Sequence, residues 1–99
     1  MSIELRDYDP ADALETPEAV SAFLADALDT GDAGYIARAL GVAARSRGMT
    51  AVARETGLSR EQLYRSFSAK GNPTLRSTLA LLRALGLRIA VLPEEHAQR

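Results

Sequence analysis

The only histidine of this 99-residue chain, His96, stands in a polar tail, and there is no cysteine at all. Acid–base and nucleophilic chemistry require a base held against a nucleophile in a packed setting. No serine here has both an imidazole and a carboxylate at hand in such a setting, so a catalytic triad is not expected. Without thiolates, and with a single imidazole, a zinc site is not expected either, because borderline-soft cations need several nitrogen or sulfur ligands. Asp7, Asp9 and Asp12 are conceivable oxygen ligands for a harder cation. Their spacing matches no calcium loop, however, and Pro10 interrupts it, which leaves a solvated acidic arm. Gly71 is a lone turn glycine, and no glycine-rich phosphate loop follows a strand. The chain is therefore read as a non-enzyme with no metal and no cofactor.

What the sequence offers instead is segregated charge. The formal net charge is −1, yet residues 1–33 carry nine acids against Arg6, a net of −8. Residues 34–90 carry ten bases against Glu55 and Glu61, a net of +8. A basic surface suits phosphates and an acidic one suits a basic protein, so the split predicts two faces with different partners. The plainer alternative is that the acidic segment neutralises the basic one within the same molecule.

The elements that position these charges are helical. At this length one modest core is expected and no second domain. The apolar residues are 46% of the chain, dominated by alanine and leucine with few β-branched residues, a balance that favours helix over sheet. Thr16, Pro17 and Glu18 form a helix start, followed by Val20, Phe23, Leu24, Ala27 and Leu28 at helical spacing and a stop at Gly31. Asp32 caps a second helix with an inward stripe of Ile36, Ala39, Leu40 and Ala43, ending near Arg47 and Gly48. Thr50 opens a third, stopped by Gly57. Ser59 to Gln62 reads as a capping box that starts a fourth helix through about Phe67. A polar turn then leads to a fifth helix, from Thr74 to Leu85, with Leu75, Leu79, Leu82 and Leu85 inward. Residues 87–92 (LRIAVL) read as a strand ended by Pro93. A lone strand must find a partner, either Ile3 to Tyr8 or the same strand of a second subunit, and Leu87, Ile89 and Val91 are its expected dimer contacts. The longest apolar stretch, 78–93, is interrupted by Arg83 and Arg88 and is too short and too charged to span a bilayer. With no basic-then-apolar start before it, a soluble cytoplasmic protein is expected.

Residues 50–63 have the form of a helix-turn-helix. Ala53 is small where the second helix crosses, Gly57 takes positive φ in the tight turn, and Leu58 with Leu63 fills the angle between the helices. The following helix carries Arg60 and Arg65 outward, with Leu63 and Phe67 inward. Together with the preceding helix and the later run NPTLRSTLALLRALGL, residues 33–87 resemble the Cro and lambda-repressor class of DNA-binding domains. More narrowly, DYDPADAL, ETPEAVSAFL, TGDAGYIARALGVAARSRGM and ARETGLSREQLYRSFS resemble HigA-like addiction module antidotes, the antitoxins of bacterial toxin–antitoxin pairs. Two features depart from the broader class: a strand replaces the usual last helix, and the recognition helix puts Phe67 rather than residue 66 in the core.

The resemblance implies an all-α, five-helix lambda-repressor-like domain with a helix-turn-helix, to which the residues themselves add a short C-terminal strand expected to serve dimerisation. The parts are an acidic arm at 1–15, an N-terminal helix at 16–31, the DNA-binding domain at 32–86, the strand at 87–92 and a polar tail at 93–99. It implies that Arg60, Glu61 and Arg65 face base edges, with Ser59, Gln62 and Tyr64 beside them; arginine pairs bidentately with guanine and glutamate accepts from cytosine. It implies that Thr50, Lys70 and Asn72 hold phosphates. The expected partners are operator duplex DNA, a second copy of the chain, and a small basic ribonuclease toxin of the RelE, HigB or ParE kind. The toxin would be met by Asp7, Asp9, Asp12 and Glu15, with Phe23, Leu24 and Leu28 either docking on it or completing the core. A free-standing phage-type repressor without a toxin is the alternative within DNA binding. A helical protein-interaction module that never touches DNA is the alternative outside it.

Overall fold

The computed structural model describes residues 14–94. These form five helices: α1 (Pro17–Asp29), α2 (Ala33–Arg47), α3 (Met49–Thr56), α4 (Arg60–Ser66) and α5 (Leu75–Ala84). Each long helix starts on a side-chain cap that satisfies one of its orphan amides. The Thr16 hydroxyl accepts from the Ala19 amide at 3.0 Å ahead of Pro17, the Asp32 carboxylate accepts from the Tyr35 amide at 3.1 Å, and the Thr74 hydroxyl accepts from the Ser77 amide at 2.9 Å. Helix α3 differs. It begins at Met49, one residue before the expected start, directly after Gly48 and without a side-chain cap, so Thr50 lies inside its first turn.

Helix α2 is the centre of the molecule and packs against α1, α3 and α4, while α3 also packs against α5. Its middle, Ala39 to Ala44, is buried around nearly the whole circumference. Around it the core gathers Val20, Leu24 and Ala27 of α1, Met49 and Val52 of α3, Leu63 and Phe67 of the α4 region, and Leu81 and Leu85. Leu14, just before α1, is buried as well, and the Ser46 hydroxyl donates to its carbonyl. The acidic segment is thereby tied to the C-terminal half of α2.

Two expectations are corrected. Leu75 and Leu79 do not point inward: they are 70% and 42% exposed, and the inward side of α5 is Leu81 and Leu85, with Leu82 half-buried beside them. Packing of α5 against α3 selects that phase. The strand expected over 87–92 is not formed in the single chain. Helix α5 instead ends in a reverse turn: Gly86 at φ +78 lets its own amide donate to the Arg83 carbonyl and the Leu87 amide donate to that of Leu82 at 2.8 Å. Leu87 rests on the core, whereas Ile89, Val91 and Leu92 are exposed. A ladder requires a second strand, and the described part of the chain supplies none. Ile3 to Tyr8, the other candidate, lies outside the described residues. Among the described residues no helix is long and apolar enough to cross a membrane.

Candidate nucleic-acid interface

Helices α3 and α4 are joined by three residues whose conformation is set locally. Gly57 adopts φ +79, its amide closing α3 on the Ala53 carbonyl at 3.0 Å. An L-side chain would be strained there. The Thr56 hydroxyl donates to the Val52 carbonyl and accepts from the Leu58 amide, stiffening the bend. Ser59 then opens α4 with a complete capping box: its hydroxyl accepts from the Gln62 amide at 3.0 Å while the Gln62 side chain accepts from the Ser59 amide at 2.9 Å. Seven residues are too few for an isolated helix to persist. What holds α4 is the box at one end and the burial of Leu63 and Phe67 beneath it.

With those two side chains inward, Arg60, Glu61, Gln62, Tyr64 and Arg65 are all exposed. Glu61 and Arg65 approach only to 3.9 Å, with side chains 86% and 67% exposed, a pair too wet to hold either in place. Arg60 has no carboxylate partner among the described residues. The outward face thus carries guanidinium, carboxylate and phenol groups that no folding contact uses up, beside the Gln62 amide whose oxygen is engaged in the capping box. Beyond α4 the chain doubles back so tightly that a β-carbon on Gly71 would sit 2.1 Å from the Ser66 carbonyl oxygen and 2.5 Å from that of Arg65. The neighbours of Gly71, Lys70 and Asn72, are exposed at the C-terminal end of α4, and Thr50 is exposed in the first turn of α3.

On the acidic side, Asp7, Asp9 and Asp12 lie outside the described residues, and Glu15 is exposed. The apolar trio of α1 divides: Leu24 is buried in the core, Phe23 packs partly buried against it, and Leu28 is 59% exposed. Among the described residues no group of three or more histidine, cysteine or acidic side chains is placed to hold a metal.

Sequence reasoning passed over one feature of α2. Gly34, Arg38, Gly41 and Arg45 form a single helical stripe, and Arg38 and Arg45 line an open cleft together with Tyr64 of α4 and Ser68 beyond it. The four-three-four spacing was available in the sequence. The approach of Tyr64 was not.

The described residues form a compact helical domain in which α4 turns an exposed charged face outward and α1 carries Glu18, Asp26 and Asp29 on its exposed side. Residues 4–93 match the family described as probable addiction module antidote protein, and the chain belongs to that family. It is 37% identical over 91 residues to an uncharacterized protein of Haemophilus influenzae, a match that covers 92% of this chain and 94% of that protein. No solved structure matches significantly.

Proposed function

We propose that this protein is the antitoxin of a toxin–antitoxin module and represses its own operon by binding operator DNA through a helix-turn-helix formed by α3 and α4. The observation that carries the DNA-binding half is the outward face of α4, where Arg60, Glu61, Tyr64 and Arg65 are exposed while Leu63 and Phe67 do the folding. In this reading Arg60, Glu61 and Arg65, flanked by Ser59 and Gln62, read base edges in the major groove, and Thr50, Lys70 and Asn72 clamp phosphates on either side. The functional unit is a homodimer. One short recognition helix has too little contact area for tight specific binding, and the exposed Ile89 and Val91 give residues 87–92 an apolar edge to pair with the same segment of a second copy. The operator is then a pseudo-palindrome whose half-site centres lie about one helical turn, or a small multiple of it, apart.

The toxin-binding element is the acidic N-terminal region. Asp7, Asp9, Asp12 and Glu15 steer a small basic ribonuclease of the RelE, HigB or ParE kind, and Leu28 supplies an exposed apolar contact. Leu24, as a core residue, serves the fold.

Titration of the duplex upstream of the gene tests the DNA-binding half. Arg60→Ala should cost about 1–3 kcal/mol and relax preference at one operator position. Lys70→Ala should weaken all sequences alike and shallow the salt dependence by about one phosphate. Unchanged affinity and preference in Arg60→Ala would show the groove alignment to be wrong.

A further inference from the structure

The stripe on α2 has an unusual construction. A β-carbon at Gly41 would stand 2.2 Å from the Phe67 carbonyl oxygen, and one at Gly34 would stand 2.8 Å from that of Ala69. The chain leaving α4 therefore lies backbone-to-helix along α2 at two points one either side of Arg38. That apposition brings Tyr64, which is 49% exposed, and Ser68 to the cleft lined by Arg38 and Arg45. Among the described residues no carboxylate lines the cleft, and Arg38 is exposed with no carboxylate partner. The Ser68 hydroxyl is spent on the Arg65 carbonyl at 3.0 Å, so the cleft offers the Arg38 guanidinium beside the Tyr64 phenol, a pair of donors suited to an oxyanion. Tyr64 belongs both to this cleft and to the outward face of α4.

We infer that the cleft takes a backbone phosphate of duplex DNA flanking the bases that α4 faces, with Arg38 forming the ion pair and the Tyr64 hydroxyl donating to a phosphate oxygen. The inference rests on the DNA-binding reading above and extends its footprint to the central helix. A double helix supplies a phosphate beside every base it presents, so an element next to the recognition helix meets one without further adjustment.

The test uses the full-length protein, with the upstream duplex and a scrambled duplex of equal length, titrated by fluorescence anisotropy over a series of salt concentrations. Arg38→Gln should bind both duplexes about tenfold more weakly at low salt, with the log–log salt slope shallower by roughly 0.9, and should keep the ratio between the two duplexes. Arg38→Lys should recover the slope, because it restores the charge. Tyr64→Phe should lose roughly threefold on both. If wild-type protein binds with a steep salt slope that Arg38→Gln leaves intact, the cleft does not hold a phosphate while the DNA-binding reading stands. If Arg38→Gln instead loses binding to the toxin alone, the cleft belongs to an acidic stretch of protein and the inference is overturned. If wild-type protein binds neither duplex, both readings fall together.

Discussion

Replacing Gly41 by alanine places a methyl group 2.2 Å from the Phe67 carbonyl oxygen and 3.3 Å from its carbonyl carbon. Ordinary contact begins at 3.4 Å, so helix and chain must part by about 1 Å. The obstacle is backbone, and no side-chain rotation relieves it. Two effects oppose each other. Alanine favours the helix over glycine by about 1 kcal/mol, because it restricts the unfolded chain. Overpacking a close contact costs about 1–3 kcal/mol. Because Gly41 sits mid-helix in the buried centre of α2, where neither partner can yield freely, the upper part of that range applies, and a net loss of about 1–2 kcal/mol is expected. For a domain of this size, that lowers Tm by roughly 5–15 °C. Thermal unfolding followed by circular dichroism at one fixed protein concentration measures it, since the proposed dimer would make Tm depend on concentration. Gly34→Ala, at 2.8 Å and near the start of the helix, should lose less. A Gly41→Ala variant as stable as wild type, or more so, would refute the close apposition of α2 and the chain after α4.

Further expectations concern the cap, the arm and the C-terminal segment. Ser59→Ala removes one half of the capping box on α4 and should cost about 1 kcal/mol, read as a lower urea midpoint at unchanged slope. Replacing Asp7, Asp9 and Asp12 together by Asn should slow association with the toxin and flatten its salt dependence, while operator binding holds or improves as repulsion from phosphates falls. Stopped-flow mixing measures the first and anisotropy the second; an unchanged association rate in a folded variant removes the arm from the toxin interface. Ending the chain after Leu87 keeps that residue on the core but removes Ile89 and Val91. Helix content should persist while light scattering reports a monomer, and an intact dimer would move the interface elsewhere.

Much of the helical plan is legible because it is local. Thr16, Asp32 and Ser59 announce their helices through bonds three residues long, Gly57 marks a turn that only glycine adopts cheaply, and Leu63 and Phe67 sit one helical turn apart. The bounds of the fifth helix are legible, but its inward stripe is not, because 75–87 contains six leucines, which support two overlapping stripes. Leu82 and Leu85 belong to both, and periodicity cannot choose between adding Leu75 and Leu79 and adding Leu81 until α3 is in place. The extended reading of 87–92 depends on a partner strand, information that no six-residue window contains. The Arg38 cleft was missed for a related reason: its second wall comes from α4, and Gly34 and Gly41 look like weak helix formers until the chain crossing them is seen.

In α4 the residues that keep the helix in place and the residues that face outward are different residues. Leu63, Phe67 and the Ser59–Gln62 box hold the helix, whereas Arg60, Glu61, Tyr64 and Arg65 hold almost nothing. Substitutions at those four positions leave the core packing untouched, so on the proposed DNA-binding reading drift there is governed by the sequence recognised, with little penalty in folding. Duplicated copies of such a gene within one genome can therefore diverge in their targets one residue at a time, each intermediate remaining a folded protein. A lineage that uses this scaffold can acquire many separate addresses without first acquiring spare stability.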